Sequence, residues 1–149
     1  MSERFLAEVV VPGASSSVSL LRQYATLVLT AVGHRNLDAV LLVLSELLNN
    51  AVMHTRSGDP DGLVTVEISD IGGRLARIEV TDEGARTVLR PRQVGDDGDF
   101  GRGLQLVEAL SARWGVRRSF PGYMVWAEVL TVEDSPPPAE PLSMEVVAA

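Results

Sequence analysis

Cysteine is missing from all 149 residues, which excludes disulfides and thiolate metal centres. Histidine is scarce, with two residues, so a histidine-rich metal site is excluded as well. The chain has no uninterrupted apolar run of about 18 residues, the length a membrane helix needs. Its greasiest stretch, Val40–Leu44, is soon interrupted by Glu46. No cleavable apolar leader opens the sequence, and the expectation is a cytoplasmic protein that makes no membrane contact. Positive charge is short too: 13 Lys and Arg face 20 Asp and Glu, a net charge of −7. A chain this acidic lacks the electrostatic footprint of nucleic-acid binding, so no direct contact with DNA or RNA is expected. What it has in quantity is apolar residues, 46% of the total, enough to bury a core in one domain.

That domain is expected over residues 1–132, because residues 133–149, EDSPPPAEPLSMEVVAA, are acidic and proline-rich, the composition of an unstructured tail. Phe5–Val11 alternates, with Phe5, Ala7, Val9 and Val11 on one side, and ends at Pro12-Gly13, which predicts a strand. Ser15–Ser17 offer capping hydroxyls to a helix in which Val18, Leu21, Ala25, Val28 and Val32 recur at helical spacing until Gly33. Asn36 is placed to cap a second helix through Leu37, Val40, Leu44, Leu47, Leu48 and Ala51, ending near His54. LVTVEIS and LARIEVTD read as antiparallel strands joined by the glycines of DIGG. Between Gly84 and Phe100 periodicity is lost, which predicts a long loop. A short helix over about Leu104–Ala112 and a hairpin of WGVRRS and YMVWAEVL complete the chain. This order predicts an α+β fold, a two-layer sandwich with helices on one face of a mixed, largely antiparallel sheet.

Three polar groups stand out against this apolar background. In SELLNNAVMH, an advance of about 100° per residue puts Asn50 about 40° from Glu46 and Asn49 about 60° to its other side. His54, one turn beyond Asn50, extends that stripe. A carboxylate can accept a proton or orient water, and a carboxamide oxygen is a hard donor suited to Mg²⁺. The same pattern also serves as the solvated face of an ordinary amphipathic helix. In VTDEG, Asp82 at a strand end can accept a hydrogen bond from a ligand amine, with Gly84 allowing close backbone approach, or it can cap its own turn. In GRGLQLVEAL, two glycines and Arg102 directly precede a helical pattern, where N–H groups and the helix dipole suit phosphate. Together and in this order they supply the parts of a magnesium–nucleotide site.

At these residues the sequence resembles the GHKL superfamily of ATP-binding domains: ELLNNAVMH is similar to its N box, VTDEG to its first glycine box and GRGLQLV to its second. The small size and GLQLVEALSARWG place the resemblance nearest to bacterial anti-sigma factor serine/threonine kinases. The resemblance implies a Bergerat-type sandwich binding ATP and Mg²⁺. It implies that Glu46 is the general base, Asn50 the Mg²⁺ ligand and Asp82 the acceptor of the adenine amino group, with Gly84 beside the ring. Gly101, Arg102, Gly103 and Leu104 would line the phosphates, and Ala85–Phe100 would form the ATP lid. Asn49 and His54 are neighbours without an assigned role. Arg86 departs from the family pattern, standing where a second glycine is common. The implied partners are a STAS-domain anti-anti-sigma protein, a sigma factor, or both, and a second copy in a homodimer. Beside the kinase stands another reading: a nucleotide-binding interaction module that gates a partner without catalysis.

Overall fold

The structure, a computed structural model, describes residues 2–84 and 96–132. The expected tail and most of the expected lid, residues 85–95, lie outside them. Five strands, β1 (Glu3–Pro12), β2 (Leu63–Ile71), β3 (Leu75–Thr81), β4 (Arg113–Ser119) and β5 (Gly122–Leu130), form one sheet in the order β1-β2-β3-β5-β4. All four pairings are antiparallel. Helices α1 (Ser15–Ala31), α2 (Asp38–His54) and α3 (Asp96–Leu110) pack on it, and a 3₁₀ turn, Arg56–Gly58, follows α2. This is the α+β two-layer sandwich of the sequence reading.

Alternation along the strands sends one set of side chains to the helices. Val64, Val66 and Ile68 of β2 and Ile78 and Val80 of β3 meet Leu21 and Leu29 of α1 and Val43, Leu44 and Leu48 of α2 in a single core. Full burial of each such leucine or valine is worth about 1.5–3 kcal/mol, so this layer contact is what holds α2 in place. Arg22 of α1 adds a polar tie: its Nη1 donates to Leu41 O at 3.0 Å and to Ser45 Oγ at 2.8 Å.

Four boundaries differ from the sequence reading. In β1 the register slips between Phe5 and Ala7, so Leu6 is an extra residue and Phe5 turns to the opposite face from Ala7, Val9 and Val11. Ser15–Ser17 do not cap α1; Ala14 is the N-cap, and Ser17 Oγ instead donates to Pro12 O at 2.7 Å. Helix α2 starts after Leu37 without a side-chain cap, so the expected Asn36 cap is absent. Helix α3 starts at Asp96, within the expected loop. The DIGG turn is as expected, with Gly72 and Gly73 at φ 61° and 75°, the left-handed region a tight hairpin demands.

The face of the sheet away from the helices is charged. Glu8, Glu67 and Glu79 stand side by side on β1, β2 and β3. Burial pushes the Glu67 carboxyl above its ordinary value, and the neighbouring Glu79, Glu8 and Glu3 push it further in the same direction. Next to them Glu128, nearly fully buried, is bonded to Arg77 and Arg113, each at 2.7 Å. Burial alone would raise its pKa, but the hydrogen bonds from Arg113 and Arg77 outweigh it and hold the carboxyl below its ordinary value.

Candidate functional site

Helix α2 carries two faces. Leu47, Leu48 and Ala51 are buried in the core, while Glu46, Asn49 and Asn50 are half-buried on the side turned to α3. A methyl group added at Gly103 of α3 would lie 3.1 Å from Glu46 Oε1 and 3.4 Å from Asn50 Oδ1, so the glycine lets the second helix come close to both. Glu46, Asn49, Asn50, Met53, His54, Gly103 and Leu106 line one pocket of about 430 Å³, within the range of small-ligand sites. Five of the residues singled out in the sequence therefore meet in one place.

Two pocket residues escaped the sequence reading. Met53 is one turn beyond Asn49 and Asn50, and Leu106 one turn beyond Gly103, so helical spacing was the signal for both. Leu104 is not among the lining residues, because one step along a helix turns a side chain by about 100° from Gly103. Gly101 and Arg102 lie inside α3 rather than ahead of it, which corrects the expected helix start. Backbone N–H groups six to eight residues into a helix that starts at Asp96 are used within it. Phosphate contact through the N–H groups of residues 101–103 therefore requires the first turns of α3 to unwind. The Arg102 side chain lies outside the described residues.

Asp82 and Gly84 lie at the end of β3, outside the pocket lining but tied to its far end. Arg56 N–H, just past α2, donates to Gly84 O at 2.8 Å, and Glu83 N–H donates to Ser57 Oγ at 3.1 Å. Asp82 Oδ1 accepts from Gly84 N–H at 2.8 Å, the local turn that the D-x-G spacing allows. Gly84 has φ 99°, and a methyl group there would lie 2.6 Å from Pro121 O, so packing against the β4–β5 turn by itself requires glycine. The residues thus run in a line, Glu46, Asn50 and His54 along α2 and then the Asp82 turn.

The pocket's oxygen donors are the Glu46 carboxylate and the Asn49 and Asn50 carboxamides, beside the His54 imidazole and the Met53 thioether, and no cluster of three or more His, Cys, Asp or Glu that could hold a metal is present among the described residues. Within that set, the Glu46 carboxylate and the Asn50 carboxamide one helical turn on fit Mg²⁺ shared with phosphates rather than an ion caged by protein alone. The described residues contain no helix long and apolar enough to cross a membrane.

Comparison with known proteins agrees with the fold. The sequence profile of the histidine kinase-like ATPase domain matches residues 11–129. The chain belongs to this family, the GHKL type of ATP-binding domain. Among solved structures it is similar to the RsbU and RsbW domains of Rv1364c from Mycobacterium tuberculosis, with a TM-score of 0.63 and 17% identity. That likeness, one of fold, covers 87% of this chain and 32% of the other. No curated protein matches the chain.

Proposed function

We propose that the protein is an ATP-binding regulator with serine/threonine kinase activity toward a STAS-domain anti-anti-sigma protein, and that it holds a sigma factor when that partner is phosphorylated. The observation that carries this reading is the placement of Glu46 and Asn50, one helical turn apart and both against Gly103, in a single pocket. Glu46 accepts the proton of the incoming serine hydroxyl as its oxygen bonds to the γ-phosphorus, the β,γ-bridging bond breaks and ADP leaves. Asn50 gives its carboxamide oxygen to Mg²⁺, which when bound neutralises charge on the phosphates. Asp82 accepts the adenine amino group beyond the far end of α2. Family membership and the fold likeness support the nucleotide and the kind of partner. A homodimer is part of the same reading.

Titration calorimetry with Mg-ATP and transfer of labelled phosphate to a co-encoded STAS protein test it. Wild type binds and transfers, Asn50→Ala loses Mg-ATP affinity, and Glu46→Ala binds without transferring. Binding without any transfer by wild type would leave the gating module as the function, and Glu46→Ala would then preserve the regulatory effect.

A further inference from the structure

Side chains on the helix-facing side of the sheet stack in cross-strand rows. Ile78, Ala127 and Trp114 form one, and Val80, Val125 and Val116 the next. Asp82 N–H donates to Tyr123 O at 3.0 Å, which extends the β3–β5 ladder one step and sets Asp82 beside Tyr123. Tyr123 in turn faces Arg118 on β4. The period of two in a strand puts this third row, Asp82–Tyr123–Arg118, on the same face as the core rows.

The helices cover the first row and stop short of the third. Ile78 and Ala127 are 0% exposed, Val116 is 55% and Tyr123 47%. The Arg118 guanidinium lies 5.5 Å from the Tyr123 ring centroid, and no carboxylate pairs with it among the described residues. Asp82 Oδ1 is taken by Gly84 N–H at 2.8 Å and Tyr123 N–H at 3.3 Å, while Oδ2 accepts no hydrogen bond among the described residues. A methyl group at Gly122 would lie 2.2 Å from Asp82 Oδ1, so the hairpin closes on the carboxylate only with glycine there.

A flat aromatic and aliphatic surface with one carboxylate oxygen held at its edge is suited to a planar base that carries an amino group. We propose that Tyr123, Val116 and Arg118 form the floor of the base site. The amino-purine lies against the Tyr123 ring and Val116, Arg118 stands over the same ring, and Asp82 Oδ2 accepts the exocyclic amino group. This rests on the nucleotide reading above and adds the residues that select the base. The phosphate end at Glu46 and the floor are joined through His54 and the Arg56–Gly84 hydrogen bond. The eight steps along the helix from Glu46 to His54 rise roughly 12 Å, a span that an extended nucleoside triphosphate can bridge.

Calorimetry on the full chain with magnesium compares ATP, inosine triphosphate and inorganic tripolyphosphate for wild type, Tyr123→Ala, Tyr123→Phe and Arg118→Ala. Tyr123→Ala weakens ATP about ten-fold, as loss of a base–aromatic contact does, and leaves tripolyphosphate unchanged. Tyr123→Phe keeps the wild-type affinity, Arg118→Ala lowers it to a smaller degree, and wild type prefers ATP to inosine triphosphate. Thermal melting confirms that each variant is folded. Undiminished ATP binding by Tyr123→Ala, or an equal loss of tripolyphosphate, overturns the base floor while leaving the nucleotide reading in place. A wild type that binds no ATP overturns both.

Discussion

His34 is 2% exposed, yet it is a polar residue at the end of the first helical hairpin. Its Nε2 lies 2.7 Å from Asp70 Oδ1 and its Nδ1 bonds to the Thr131 hydroxyl, so one side chain joins the α1–α2 connection to the ends of β2 and β5. His34→Ala leaves Asp70 and Thr131 without that partner and is expected to lower stability by about 2 kcal/mol in urea unfolding. ATP affinity is expected to stay as it is, because the cluster sits at the opposite end of β3 from Asp82. Glu67 is a residue whose removal should help. Its raised pKa means that the folded state favours the protonated form, chiefly through burial and then through its glutamate neighbours. The associated stability is present below the unfolded pKa, about 4.3, and is lost as pH rises through the folded value. Glu67→Gln is therefore expected to raise Tm by a few degrees at neutral pH, with the gain closing as the pH falls toward 4. Glu128, whose pKa is lowered by its two arginines against the opposing effect of burial, has the other sign. Its contribution is present above the unfolded pKa and disappears as pH falls through the folded one, so Glu128→Gln costs most at neutral pH and least in acid.

At the scale of elements, the approach of α3 to α2 sets the width of the pocket. A β-branched side chain at residue 103 would occupy the space in front of Glu46 and Asn50, where even a methyl group reaches 3.1 Å from Glu46 Oε1. Gly103→Val is expected to abolish Mg-ATP binding in calorimetry while melting cooperatively. The polar stripe on α2 was legible in the sequence because helix geometry alone fixes the angles between Glu46, Asn49 and Asn50. The same geometry would have found Met53 and Leu106. The Leu6 bulge was not legible: an alternating pattern carries no mark of one extra residue, and only pairing with β2 shows it. The start of α3 at Asp96 was missed because glycine and aspartate before Phe100 weaken helical periodicity without forbidding helix. Nor could the sequence link Asp82 to Tyr123, since that contact joins residues 41 positions apart.

For the molecule as a whole, a ligand that bridges α2 and the end of the sheet must stabilise the folded state by mass action. At a free Mg-ATP concentration about 100 times Kd, the gain is about 2.7 kcal/mol, read as a rise in Tm that Asn50→Ala removes. The two layers also leave the sheet with unlike faces, and each holds one tryptophan. Trp114 packs against the core on the helix side, while Trp126 lies on the other face over Gly115, with the Arg77 guanidinium 4.4 Å from its ring centroid. Emission from the two indoles can thus be separated by a single substitution. Trp126→Phe leaves a fluorophore in the same layer as the pocket, and Trp114→Phe leaves one shielded from it by the thickness of the sheet. Each single-tryptophan protein becomes an optical gauge for one side of the molecule, with the second serving as the blank for the first.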